Sequence, residues 1–234
     1  MERKQSERIQ TSIINALEKK ALVWMAGKMP AWVNSDMLTF TGVFGAVVIM
    51  TGYILSLVNL NFLWLASLGF VINWFGDSLD GTLARVRNQQ RPLYGFFIDH
   101  NIDCINEALM FIGIGISPMV NMNVALMVLA AYLTLSVSVY INSHLKNEFR
   151  LTYAKMGPTE LRIIVIILNT LYLYVTPLRE FALDINILGR TRTFGIIDFV
   201  AIIILVGLTI AYLGSLVKDA KYYAKLDPLK KDNE

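Results

Sequence analysis

Long apolar runs alternate with short polar breaks along most of the chain. Six segments stand out, at 37–58, 61–85, 94–117, 122–142, 160–177 and 194–217. Each is close to the roughly 20 residues a helix needs to cross a bilayer. Polar punctuation separates them: Asn59 and Asn61, the RNQQRP stretch at 87–92, Ser117-Pro118 with Asn121 and Asn123, and longer connections at 143–159 and 178–193. The pattern predicts an all-α integral membrane protein with six transmembrane helices. Ahead of them, residues 6–28 carry Ile9, Ile13, Leu17, Ala21 and Trp24 at helical spacing, with Arg8, Glu18, Lys19 and Lys28 mostly elsewhere. This predicts an N-terminal amphipathic helix, lying in the membrane interface or docked on the protein. Pro30 ends it, and Asn34-Ser35-Asp36 offers an N-cap for the first span. Three parts follow: an N-terminal segment (1–34), a six-helix membrane domain (35–217) and a charged tail (218–234).

Composition agrees with this pattern. The chain has 234 residues, 55% of them hydrophobic, more than a soluble domain of this length carries. The single cysteine, Cys104, excludes an intramolecular disulfide. The first twelve residues are polar and charged with no early apolar core, so no cleavable signal peptide is expected. Charge distribution sets the orientation. Of the 21 Lys and Arg residues, all but Arg179, Arg190 and Arg192 fall on the side that holds both termini. By the positive-inside rule that side is the cytoplasm. Trp32, Trp64 and Tyr172, near span ends, read as interface anchors.

The chemistry sits where the second span ends and the third begins. Asp77 and Asp80 are three apart, and Asp99 and Asp103 four apart, so each pair shares a helix face. The short connection makes the two helices antiparallel neighbours, and both pairs then lie near the cytoplasmic surface. Burying one Asp at a helix centre costs about 2.5–3.5 kcal/mol on the insertion scale, and four together need a counter-charge. Mg²⁺ or Mn²⁺ suits an all-oxygen set and shares its shell readily with phosphates. Two such ions about 4 Å apart would clamp a pyrophosphate. Helix rise puts Asp103 about 6 Å deeper than Asp99, placed to take a proton from an acceptor hydroxyl. Gly81, Ala84 and Gly95 allow close approach of a backbone or flat ligand, or pack helices plainly. Arg85 sits at the mouth, where a guanidinium meets phosphate or carboxylate.

The pattern Asp77-x2-Asp80-Gly81-x2-Ala84-Arg85, nine residues, then Gly95-x3-Asp99-x3-Asp103 resembles the signature of the CDP-alcohol phosphotransferases at every fixed position. The resemblance implies transfer of a phosphoryl-alcohol unit from a CDP-linked alcohol to a hydroxyl acceptor, with release of CMP. It also implies Mg²⁺ or Mn²⁺, a homodimer and a place in phospholipid biosynthesis. Carried over, Asp77, Asp80 and Asp99 would bind metal. Asp103 would bind a second ion, act as base, or both. Gly81, Ala84, Arg85 and Gly95, with the first aspartates, would shape the CDP site. The expected donor is CDP-diacylglycerol, with a small polar alcohol as acceptor. The Asp99-His100 pair also resembles the branch that transfers phosphocholine or phosphoethanolamine to diacylglycerol.

Other residues have two readings each. His100 is an alternative base, or packs beside Asp99. Glu107, one turn below Asp103, holds it through a shared proton or is a buried neutral acid. Asn73 bonds an Asp or substrate phosphate, or joins two helices. His144 reads as structural. Thr159 is a candidate N-cap for the fifth span. Lys146, Arg150, Lys155 and Arg162 form a cationic group on the active-site side, suited to a phosphorylated acceptor or anionic lipid, or to topology alone. No nucleic-acid partner is expected. An aspartate-rich prenyltransferase would have more spans and lack the Gly81-x2-Ala84-Arg85 element. A cation carrier would place acids deeper along several helices.

Overall fold

The computed structural model describes residues 7–9, 15–146, 148–150, 158–187 and 189–228. Its elements run β1 (Glu7–Ile9), α1 (Asn15–Lys28), α2 (Ser35–Leu55), α3 (Leu63–Val86), α4 (Pro92–Ile116), α5 (Met122–Lys146), β2 (Glu148–Arg150), α6 (Pro158–Tyr174), α7 (Thr176–Glu180), β3 (Ala182–Ile187), β4 (Arg190–Gly195) and α8 (Ile196–Leu226). The six apolar segments each become a helix. Among the described residues, α2, α3 with the turn before it, α5 and α8 are long and apolar enough to cross a membrane. The α4 helix carries Asp99, Asp103 and Glu107, and α6 has 17 residues. The protein is therefore a mostly helical, multi-pass membrane protein.

The helix ends follow local chemistry. Asn34 caps α2, its side chain accepting from Met37 N at 2.8 Å, as its sequence suggested. Helix α3 closes with Gln89 N donating to Ala84 O and Asn88 N to Arg85 O, at 2.9 and 3.2 Å. Asn88 takes the left-handed φ of 53° that this Schellman end requires. Pro92 then opens α4, where its missing N–H costs nothing. This tight reversal brings the two aspartate pairs to the same end of the bundle.

Helices α3 and α4 do not use each other as main packing partner, contrary to the expected side-by-side pair. Both pack on α2, which presents glycines to α3. A Cβ on Gly45 would collide with the Asn73 backbone, one on Gly52 with Ala66, and one on Gly76 of α3 with Gly42. Close approach of small residues is how helices associate where lipid supplies no hydrophobic drive. Gly113 of α4 sits against Met50 of α2 in the same way. Gly45→Ala is thus expected to destabilise the protein by about 1–3 kcal/mol through overpacking. Gly207→Ala, which faces open space on α8, should leave the Tm unchanged or slightly raised. Thermal unfolding in detergent separates the two.

A buried polar chain fixes α6. Tyr53 of α2 donates to Asn169 Oδ1 at 3.0 Å, and Asn169 Nδ2 donates to Ser67 Oγ of α3 at 3.1 Å. Around it Ile49, Leu63, Ala66, Phe70, Tyr172 and Ile197 form the main core. Tyr172 belongs to that core, donating to Pro118 O at 2.8 Å, and is not an interface anchor. Trp32 and Trp64 are exposed.

The N-terminal region differs from expectation. Among the described residues, helix α1 runs from Asn15 to Lys28. The chain at Glu7–Ile9 is a strand paired in parallel with Glu148–Arg150, and Ile13 lies outside the described residues. Leu22 and Ala26 are the buried stripe of α1, packed with Val33, Leu38, Leu79 and Leu83. Leu17, Ala21 and Trp24 face outward. Both stripes have helical spacing, so periodicity alone does not choose between them. Arg87 secures the end of α1 by donating to the carbonyls of Met29, Pro30 and Val33.

On the opposite end, part of the expected loop at 178–193 is an antiparallel hairpin, β3–β4, in register from Ala182↔Gly195 to Ile187↔Arg190. Gly189, with φ 78°, supplies the turn. Asp198 anchors α8 there, accepting from Asn121 N, Asn121 Nδ2 and Gly195 N at 2.7, 2.7 and 2.9 Å. Helix α8 continues past residue 217 to Leu226, and Asp219 accepts from Asn142 of α5 at 2.8 Å.

Candidate active site

Three of the four aspartates converge. Asp77 of α3 and Asp99 and Asp103 of α4 each place a carboxylate oxygen within 4.8 Å of the others. All three are half-buried. Arg162 of α6 joins them, its Nη2 donating to Asp77 Oδ2 at 2.5 Å. The pair is mostly enclosed, with side chains 15% and 22% exposed. An enclosed charge-assisted bond of this kind is stronger than a surface pair. If all are ionised, three carboxylates against one guanidinium leave two negative charges. An all-oxygen donor set with that excess fits a hard divalent cation.

Asp80 is placed differently. Its Oδ2 accepts from Thr39 Oγ1 of α2 at 2.7 Å, and its Oδ1 from the backbone N–H of Gly81. Ser35 Oγ also donates to the Asp80 carbonyl at 2.8 Å. The residue is held at the rim of the cluster rather than within the group of three. Ser35 and Thr39 are four apart on one face of α2, a spacing the sequence contains but does not aim at any partner.

The small residues divide by surroundings. A Cβ on Gly81 would stand 3.4 Å from Arg85 Nη1, an ordinary contact, and Arg85 folds back along α3 beside it. There Arg85 Nη2 donates to Thr82 Oγ1 at 2.9 Å. Ala84 is half-buried one turn before Asn88. Gly95 is exposed, with nothing within 4 Å of a Cβ built on it. The space above α4 is open at this point, next to the carboxylates.

His100 is buried, its ring 4.0 Å from that of Phe96 and 4.4 Å from that of Tyr140 between centroids. Its Nδ1 lies 3.7 Å from Asp99 Oδ2, too long for a hydrogen bond. The ring thus packs among aromatics beside Asp99, while Asp103 is in the cluster itself. Glu107 is half-buried on α4, one turn from Asp103. Asn73 is an interhelical link, donating to Gly42 O at 2.9 Å.

Of the expected cationic group, Arg162 alone has a described side chain, and it enters the cluster. Lys155 and the side chains of Lys146 and Arg150 lie outside the described residues. His144 is exposed. Thr159 is not the N-cap of α6, which already begins at Pro158. Its hydroxyl donates to Glu18 Oε1 at 2.6 Å.

A cavity of about 400 Å³ occurs away from the carboxylates, lined by Ser117, Asn121, Tyr172, Arg179 and Asp198 among others. Asp198 and Asn121, two of its polar lining groups, bond one another there.

Among curated proteins none matches the chain. A family model described as CDP-alcohol phosphatidyltransferase matches residues 32–218, which take in α2 to α6 and all four aspartates, and the chain therefore belongs to that family.

Proposed function

We propose that this protein transfers a phosphatidyl group from CDP-diacylglycerol to a small polar alcohol, releasing CMP, at the cytoplasmic face of a six-span membrane homodimer. The family places the reaction class: transfer of a phosphoryl-alcohol unit from a CDP-alcohol to an alcohol. The observation that carries the reading is the convergence of Asp77, Asp99 and Asp103. In this reading those three, with Asp80 at the rim, hold two divalent ions, Mg²⁺ or Mn²⁺. When bound, the metal neutralises the pyrophosphate and stabilises the departing phosphate oxygen.

The chain's own residues do the rest. Asp77, Asp80, Gly81, Ala84, Arg85 and Gly95 form the floor on which the CDP moiety lies, with the open space at Gly95 as its approach. Asp103 accepts the proton of the acceptor hydroxyl. The hydroxyl oxygen forms a bond to the phosphorus distal to cytidine. The bond from that phosphorus to the bridging oxygen breaks, and CMP leaves with the electron pair. Positioning and fixed charge supply most of the acceleration. Arg162 has more donors than Asp77 uses, which suits a phosphate on donor or acceptor. Orientation rests on the excess of Lys and Arg on the side of the termini, and the outward stripe of α1, with Leu17 and Trp24, suits the membrane interface.

One observation favours a second substrate pair. His100 lies directly beside Asp99, as in the branch that uses a CDP-aminoalcohol and diacylglycerol. A matrix of CDP-linked donors against acceptors, read by lipid mass spectrometry, decides between them. Phosphatidyl products from CDP-diacylglycerol support the first pair. Product only from diacylglycerol with a CDP-aminoalcohol establishes the second.

A further inference from the structure

Glu18 closes a ring of contacts that ends on the carboxylate cluster. Trp74 and Asp77 are three residues apart on α3, and Thr159 and Arg162 are three apart on α6, so each pair shares a helix face. One end of the resulting rectangle is the Arg162–Asp77 ion pair. The other end is Glu18 of α1. Its Oε1 accepts from Trp74 Nε1 at 2.7 Å and from Thr159 Oγ1 at 2.6 Å. A single carboxylate oxygen thus fastens α3 to α6 one helical turn from the charged pair.

The position needs such a fastener. Thr159 and Arg162 lie in the first turns of α6 as described, where the N-terminal N–H groups of a helix lack intrahelical partners. The buried bond that anchors α6 elsewhere is at Asn169, about two turns further on. Glu18 itself stands on a fixed support, because Leu22 and Ala26 of α1 are buried against the bundle and Arg87 holds the α1 end. Residue 18 also lies outside the stretch that matches the family, 32–218, so this link is a property of the chain beyond the shared signature.

We infer that Glu18 is a positioning residue: by bridging Trp74 and Thr159 it sets the register in which Arg162 meets Asp77, and so ties the N-terminal helix to the carboxylate cluster. The activity arm of its test rests on the proposed function. The bland alternative is that Glu18 merely docks α1. A docking role would weaken the protein regardless of what stands at position 162.

The test compares purified wild type, Glu18→Ala, Glu18→Gln, Arg162→Gln and the double variant Glu18→Ala/Arg162→Gln. Glu18→Ala is expected to lower kcat/KM for CMP release about tenfold, the scale of a lost hydrogen bond to a charged group. Glu18→Gln keeps an oxygen that accepts from both donors and should restore most of the rate. In the Arg162→Gln background, Glu18→Ala should slow turnover no further, because its effect runs through Arg162. Hydrogen–deuterium exchange gives a readout independent of turnover. Glu18→Ala should raise exchange in the first two turns of α6, and Glu18→Gln should not. This arm separates failure of the link from failure of the proposed reaction. Unchanged α6 exchange in Glu18→Ala, or an Ala effect of equal size in both Arg162 backgrounds, overturns the inference.

Discussion

Asp103→Asn is expected to abolish turnover while costing donor binding much less, because Asp77 and Asp99, with Asp80, remain to hold metal. Asparagine keeps the size of the side chain, so the α4 backbone and the open approach at Gly95 are undisturbed. It cannot take the proton of an acceptor hydroxyl. Loss of a positioned base costs about 10²–10⁴-fold in rate, and the loss here should fall more in kcat than in the affinity for the CDP-alcohol. The contrasting variant is His100→Asn. His100 is packed between Phe96 and Tyr140 and its nearest ring nitrogen is 3.7 Å from Asp99, so its loss should perturb Asp99 without removing the base. Steady-state CMP release, with binding of the donor measured separately, distinguishes the two. Near-normal turnover in Asp103→Asn, with loss in His100→Asn, would transfer the base role to the histidine.

Asp77→Asn is expected to have two effects at once. Asp77 is both a member of the three-carboxylate group and the partner of Arg162. Removing its charge should weaken Mn²⁺ binding by roughly 100-fold or more, the upper end of what even outer-shell changes do to metal sites. It also leaves a largely enclosed guanidinium without its counter-charge, which costs on the order of 3 kcal/mol. The two consequences separate in the double variant Asp77→Asn/Arg162→Gln. Stability should return, because the stranded charge is gone, while metal affinity stays low. Mn²⁺ titration by electron paramagnetic resonance and thermal unfolding read the two effects on the same samples.

The aspartates were legible because their information is local. Spacing of three and four residues on a helix fixes which side chains share a face, and the polar stretch between α3 and α4 shows that the chain reverses there. The places of the helices along the chain were legible for a similar reason, since lipid demands long apolar runs. What lies between helices was not. Arg162 was visible as one cation among several near the fifth apolar segment. Its meeting with Asp77 depends on how α6 is rotated and slid against α3, to which the distant bonds of Asn169 with Tyr53 and Ser67 contribute. The Thr39–Asp80 and Glu18–Thr159 bonds likewise join residues far apart in the sequence.

Helix α1 shows the limit most clearly. It carries two apolar stripes, and the one that packs on the bundle is Leu22 and Ala26, while Leu17 and Trp24 stay exposed. A period of 3.6 residues identifies a helix without saying which face finds protein and which finds lipid or water. The α3–α4 relation departs from the sequence pattern for a different reason. A short connection implies neighbours, but the glycines of α2 let that helix come closer to α3 than α4 does. The hairpin β3–β4 was hidden because its residues, ALDINI and RTRTFG, read equally well as a polar connection.

The central claim is that the carboxylate cluster drives metal-dependent release of CMP from a CDP-alcohol. The most direct measurement is CMP formation by the purified protein in detergent or vesicles, with CDP-diacylglycerol and polar alcohols, and with Mg²⁺ or Mn²⁺ present or chelated. The account predicts CMP that requires both the divalent ion and a hydroxyl acceptor, and that disappears in Asp103→Asn. No CMP from any CDP-linked donor, or equal CMP with the ion chelated, would contradict it.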